Sequence, residues 1–263
     1  MVYYTYVYYE SNSDGKYGEY YNWLLISPDR NTANTLYRIL LDKKSYKRVD
    51  GKDILFKNIS RISSQIWSYD TADGEEFHYL GRALSGRPDV ASKNPDYASV
   101  LGKVRVYWLG YYDARGWKVI PELDPFDSDQ LSGYSFFVRR RGSPAVNWFF
   151  EQEDGTIRPT EGLWRTRFII TVKKSADDEK IPIIDDDEVK IEVVENSWSE
   201  KRRRVGVKED GALAVDVGEK WFKFSDFRSN FLTKSGTPRT VAWSKNPGRA
   251  ESYELYDGVK VDY

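Results

Sequence analysis

Six Asp-Gly dipeptides, at residues 14, 50, 73, 154, 210 and 257, divide this sequence into short runs rich in aromatic and β-branched residues. Asp-Gly accepts the positive φ angles of tight hairpin turns, and between such runs it is the strongest short-range hairpin signal. The spacing is irregular, so the pattern is not a repeat array but the punctuation of an antiparallel β protein. The expected fold is mainly β: an antiparallel β-sandwich with one or a few short helices. A chain of 263 residues can bury one large core. The expected organisation is a single domain over 1–263, with a break at the acidic loop near residue 180 as the alternative.

The first hairpin is the most distinctive. Tyr3, Tyr4, Tyr6, Tyr8, Tyr9, Tyr17, Tyr20 and Tyr21 place eight of the chain's 20 tyrosines within residues 1–23, around Ser13-Asp14-Gly15. Strand alternation sets Tyr4, Tyr6 and Tyr8 on one face and Tyr3, Thr5, Val7 and Tyr9 on the other. Each face is an apolar ring with a polar tip, a surface suited to burial against another protein chain.

Beyond the breaker Ser27-Pro28-Asp29, a helix is expected over about 32–44, capped by Asn31 or Thr32, with Leu36, Ile39 and Leu40 at helical spacing. Residues Asp53–Trp67 read as strands, as do Phe77–Leu84 (with His78 in it) and Val104–Leu109, the last with Trp117–Ile120 as its hairpin partner. Further strands are expected at Tyr134–Arg141, Asn147–Glu151, Trp164–Lys173, Val189–Glu195, Val205–Val207, Ala212–Val217 and Trp221–Phe224. A short helix or loop over Ser225–Phe231 and a hairpin at Asp257-Gly258 close the chain.

Composition excludes several classes of function. With no cysteine and one histidine, His78, thiolate chemistry and multi-histidine metal sites are out of reach. Forty basic against 41 acidic residues give no global field for nucleic acid or an anionic membrane. No apolar run reaches the ~18–20 residues that cross a bilayer, and the N-terminus does not read as a secretory signal, so a cytosolic protein is expected. Asp185-Asp186-Asp187-Glu188 lacks the glycine and spaced ligands of a calcium loop, and Glu188-Val189-Lys190 matches half of a nuclease motif at chance level. Lys201–Arg204 reads as a solvated turn or a partner for the acidic loops. Without a phosphate loop or nucleophile elbow, no catalytic residue, metal ligand or enzyme activity is assigned.

Two candidate surfaces remain. Arg139, Arg140, Arg141, Trp148, Trp164 and Arg165 alternate cations with rings, as a phosphate clamp with stacking platforms would, although ordinary strand alternation also yields that order. The other is the tyrosine cluster, which favours association between protein chains.

The aromatic strand Val2–Tyr9, the turn Ser13–Gly15, a second strand and the amphipathic helix Thr32–Lys44 resemble the opening of cypovirus polyhedrins, insect-virus proteins that crystallise inside cells and encase virions. The likeness covers about the first 45 residues. Chain length and tyrosine content are also similar. The resemblance implies a self-assembling matrix in occlusion bodies of the host-cell cytoplasm. Its partners would be copies of itself, a trimer among the arrangements allowed, and virus particles, with no membrane. Any bound nucleotide rests on resemblance alone, since no contact positions match. A polyhedrin begins with a projecting helix, whereas here Met1 leads into a strand, so a clasp would fall to Thr32–Lys44 or a C-terminal element. An alkali-labile lattice suits the composition: tyrosine and lysine titrate near 10 and 10.4, and full ionisation of 20 of each would take the net charge from −1 to roughly −41. The alternative is a soluble β-sandwich binding module for carbohydrate or nucleic acid, using the Arg139–Arg167 segment.

Overall fold

The computed structural model describes residues 2–9, 22–43, 45–48, 50–71, 76–84, 92–109, 129–173, 181–194 and 202–259. The Ser13–Gly15 turn, Tyr17, Tyr20, Tyr21 and Trp117–Ile120 lie outside these residues. The fold is mainly β, built of antiparallel sheets with few short helices. The backbone divides into two compact units, Met1–Glu122 and Leu123–Tyr263, each with its own hydrophobic core, where the sequence expects one domain.

Unit 1 is a six-stranded sheet in the order β3-β4-β5-β1-β2-β6, from β1 (Tyr3–Tyr9), β2 (Asn22–Ser27), β3 (Ser45–Lys47), β4 (Asp53–Ser63), β5 (Ile66–Thr71) and β6 (Arg105–Trp108). Strands β1 and β2 pair antiparallel, with Tyr4 opposite Ile26 and Tyr8 opposite Asn22, as the opening hairpin requires. β1 and β5 run parallel, so the chain must cross over between them, and helix α1 (Arg30–Lys43) lies on that connection. Ala33, Leu36, Tyr37 and Leu40 form its buried stripe, at the spacing of one helical face. The helix is capped neither by Asn31 nor by Thr32: the Asp29 carboxylate accepts the Thr32 backbone N–H at 2.8 Å.

Residues Glu76–Leu84 form helix α2 rather than the expected strand, so His78 is helical too. Phe77, Leu80 and Leu84 are all buried, and their three- and four-residue spacing suits one helical face, whereas strand alternation would have buried Tyr79 and Gly81 instead. Gly81 sets the approach of α2 to β6: a Cβ there would lie 2.8 Å from Cβ of Val106. Both helices pack on the sheet face that carries Val7, Tyr9, Trp23, Leu25, Trp67 and Tyr69. Inside this core the Trp23 indole N–H donates to the Tyr69 hydroxyl at 3.0 Å.

Unit 2 has a curled antiparallel sheet. Its main path is β13-β12-β11-β10-β7-β8-β9, with β14 on β11 and β17 on β7. The strands are β7 (Tyr134–Arg140), β8 (Ser143–Phe150), β9 (Ile157–Glu161), β10 (Phe168–Val172), β11 (Glu188–Val194), β12 (Arg202–Val207), β13 (Leu213–Val215), β14 (Phe222–Lys223) and β17 (Tyr253–Val259). A bridge between Thr156 and Ala214 joins the two ends of this path, so the sheet nearly closes. A short helix α3 (Asp226–Ser229) and the hairpin β15 (Phe231–Lys234)–β16 (Thr240–Trp243) complete the core. Several boundaries differ from expectation. β9 and the β15–β16 hairpin are additional, Trp164–Arg167 precedes β10 rather than belonging to it, and Asp257-Gly258 is a bulge within β17, not a hairpin, with Asp257 at φ 53°. Arg202–Arg204 lie inside β12 rather than in a solvated turn.

Candidate functional site

The tyrosine strand β1 is covered to different depths on its two faces. Thr5, Val7 and Tyr9 are buried beneath the helices, Tyr3 is half-buried, and the Tyr9 ring lies 5.4 Å from that of Tyr69. On the opposite face, pairing registers align Ile66, Tyr6, Leu24 and Tyr107 in one row across β5, β1, β2 and β6, and Tyr4, Ile26 and Arg105 in the next. Tyr6 is buried, which pushes its phenol pKa up, and Tyr8 is half-buried. Exposure grows towards β6, where Tyr107 is 53% exposed, while Trp108, paired with Trp23, stands on the other face at 48%.

The two edges of this sheet differ. At β3, Asn94 imitates a neighbouring strand: its Oδ1 accepts the Lys47 N–H at 2.7 Å and its Nδ2 donates to the Lys47 carbonyl at 2.9 Å. The Tyr97 hydroxyl donates to the Ser45 carbonyl at 3.0 Å, and burial, then the charge of Asp96, raise its pKa well above the usual range. That edge is closed. β6 ends the sheet on the other side and has no neighbouring strand beyond it among the described residues. An edge strand bearing large rings is a template for another chain.

Helix α1, a candidate clasp, is instead packed into the unit 1 core through Leu36 and Leu40.

The arginine–tryptophan segment is not an open platform. Trp148 is 0% exposed at the centre of the unit 2 core, its ring 5.1 Å from that of Phe231 and 5.4 Å from that of Tyr253, so it cannot meet a ligand. The arginines are neutralised by β17 and the residues before it. Arg139 pairs with Glu254 at 2.7 Å, Arg141 with the same carboxylate at 3.3 Å, and Arg140 with Glu251 at 2.8 Å. Arg165 lies 4.1 Å above the Phe137 ring and donates to the Tyr256 hydroxyl at 3.1 Å. Trp164 is 70% exposed and edge-on to Phe149, and Arg141 and Arg165 are exposed as well.

Glu251 ties three strands together. Its Oε2 accepts from the hydroxyls of Tyr253 at 2.5 Å and Thr233 at 2.8 Å. Burial raises the Glu251 pKa, but these hydrogen bonds and Arg140 outweigh it and hold the carboxyl below its usual value. Tyr253 moves the other way: burial first, then the hydrogen bond to Glu251, push its phenol up to about 12.

The acidic run has internal partners. Asp185 accepts from Arg228 at 2.7 Å, Asp187 accepts the Ile184 N–H at 2.8 Å and Glu188 pairs with Lys173 at 2.8 Å. Among the described residues no group of three potential ligands is placed to hold a metal ion. In the basic run, Arg203 pairs with Asp216 at 2.8 Å and Arg204 with Glu219 at 3.0 Å. No described helix is long and apolar enough to cross a membrane. No protein-family model matches this sequence, and no curated protein is significantly similar to it.

Proposed function

We propose that this is a non-enzymatic structural protein that assembles with copies of itself through the β6 edge and the outward aromatic rows of the unit 1 sheet. The observation that carries the proposal is the row Ile66–Tyr6–Leu24–Tyr107, which ends on β6, a strand with no neighbour beyond it among the described residues, while Asn94 occupies the β3 edge at Lys47. A net charge of −1 lets copies approach without long-range repulsion. Tyrosine hydroxyls facing a neighbouring copy would ionise in alkali and leave charges that separation relieves, so the assembly is alkali-labile. The resemblance of residues 1–45 to polyhedrins extends the proposal to a crystalline occlusion matrix in the cytoplasm of an infected cell.

The test is untagged expression in insect cells, imaging for intracellular particles, and titration of those particles from pH 7 to about 11, across the tyrosine and lysine range. Dissolution near pH 10–11, together with a dispersed Tyr107→Lys variant of unchanged circular dichroism, supports the reading. A wild-type monomer at high concentration and neutral pH overturns it. A second reading, a binding module for carbohydrate or nucleic acid, retains Trp164 beside Arg165 as its contact. It predicts retention on glycan or oligonucleotide arrays that Trp164→Ala abolishes.

A further inference from the structure

One end of the unit 2 sheet is apolar and uncharged. The pair Val146–Glu161 ends the β8–β9 ladder there, so residues 142–145 and residues 162–164 run on beyond it side by side. None of these seven residues carries a charge. Leu163 is 95% exposed, more than any other large hydrophobic residue described, and Trp164 follows at 70%. Pro144 and Ala145 are exposed too. A Cβ at Gly142 or Gly162 would meet no atom within 4 Å beyond its chain neighbours, so both turns project into open space. The tip is nevertheless held in shape. Gly162 takes the positive φ of 85° that its turn needs, and the Thr160 hydroxyl donates to the Trp164 carbonyl at 2.6 Å.

Cations stand directly behind this tip. Arg139 and Arg141 share one carboxylate, Glu254. Arg165 makes no ion pair among the described residues and is held by the Phe137 ring and the Tyr256 hydroxyl. Arg167 and Asp257 cancel each other further back, and the remaining carboxylate of the rim is the exposed Glu161. Three arginines against Glu161 and Glu254 leave the rim one positive charge in excess, although the whole chain is at −1. An uncharged projecting tip of leucine and tryptophan, backed by arginines, matches the layers of a bilayer surface. Leucine reaches the acyl boundary, the indole sits at headgroup level and the arginines meet the phosphates. Other occupants account for less. A base or a sugar face would stack on Trp164 and leave Leu163 in water. A protein partner needs a surface of ~20–30 residues, whereas this tip stands clear of the sheet on two short turns.

We propose that the tip of residues 142–145 and 162–164 inserts into the surface of a phospholipid bilayer, with Leu163 and Trp164 as anchors and Arg141 and Arg165 on headgroup phosphates. The tip lies wholly within unit 2 and acts independently of self-association through β6.

The test is flotation of the full chain with vesicles of phosphatidylcholine, with and without phosphatidylserine. Bound protein rises through a density gradient, whereas assemblies formed without lipid sink. Wild type is expected to float with both vesicles and to bind the serine-containing ones more tightly, a difference that shrinks as salt rises. Leu163→Asp should weaken binding to both at least about tenfold. Arg165→Gln should weaken binding to the serine-containing vesicles about fivefold. Trp164→Phe should keep most of the binding and Trp164→Ala should not. Circular dichroism equal to wild type shows that the variants are folded. Failure to float with either vesicle, or flotation that survives both Leu163→Asp and Trp164→Ala, would overturn the proposal. In a protein that does not float, an oligonucleotide or glycan released by Trp164→Ala assigns the ring to a soluble ligand, and particles dispersed by Leu163→Asp make the tip a contact between copies. Either result overturns insertion into lipid.

Discussion

Replacing Tyr253 by phenylalanine should make unit 2 less sensitive to alkali while making it less stable at neutral pH. Tyr253 is 1% exposed, and its hydroxyl donates to Glu251, which also receives Thr233 and Arg140. At neutral pH the variant loses a hydrogen bond to a charged acceptor, a loss of about 1.5–3 kcal/mol. The two remaining donors keep the carboxylate satisfied, which places the loss near the lower end. In alkali the sign reverses. The unfolded phenol ionises near 10, whereas the folded one is pushed up to about 12. The folded state then holds the proton that the unfolded state has released, so stability falls as pH rises from about 10 to 12 and is intact below 10. Two pKa units correspond to about 2.7 kcal/mol. Phenylalanine has nothing to titrate, so the stability gap between wild type and variant should close across that window. Urea unfolding at a series of pH values, followed by tryptophan fluorescence, measures the gap directly. A gap that stays constant from pH 8 to about 12 would refute the reasoning, because a phenol with an ordinary pKa adds no differential slope.

Two further substitutions probe how the elements are held. Gly81→Ala gains up to about 1 kcal/mol of helix propensity, yet its new methyl meets Val106 at 2.8 Å; overpacking of about 1–3 kcal/mol should win and lower the melting temperature. Asp29→Ala removes the cap of α1 and should destabilise unit 1 by about 1 kcal/mol; chemical denaturation of the variant checks the assignment.

What was legible in the sequence was local. Helix α1 was readable because Leu36 and Leu40 repeat at helical spacing, and the antiparallel class because Asp-Gly turns punctuate aromatic runs. The cap was misplaced because Asp29, Asn31 and Thr32 are all good capping residues and only geometry chooses among them. α2 was mistaken for a strand because its aromatic content outweighed the 77/80/84 spacing, the better signal. Trp148 was also within reach: Val146, Trp148 and Phe150 alternate, and all three are buried. The partners of the arginines were not legible. Glu254 lies 115 residues from Arg139, and nothing local links β7 to β17. The meeting of the Asp154 and Asp210 turns was hidden for the same reason, since they read as two separate turns until the Thr156–Ala214 bridge brings their strands together.

These long-range arrangements separate two alkaline events that composition alone would merge. The tyrosine count suggests one response to alkali, yet the phenols occupy different environments. Tyr253 sits in a polar network inside unit 2, and its ionisation opposes folding. Tyr6 lies in the outward row of unit 1, with burial raising its pKa, and its ionisation would oppose whatever covers that row. Loss of assembly and loss of fold therefore depend on different residues. Tyr253→Phe should alter the alkaline unfolding curve and leave particle dissolution where it was. Tyr107→Lys, on the exposed edge, should disperse the particles and leave the unfolding curve unchanged. If Tyr253→Phe shifted both transitions together, dissolution would be unfolding seen through a lattice, and the β6 edge would no longer be needed to explain alkali-lability.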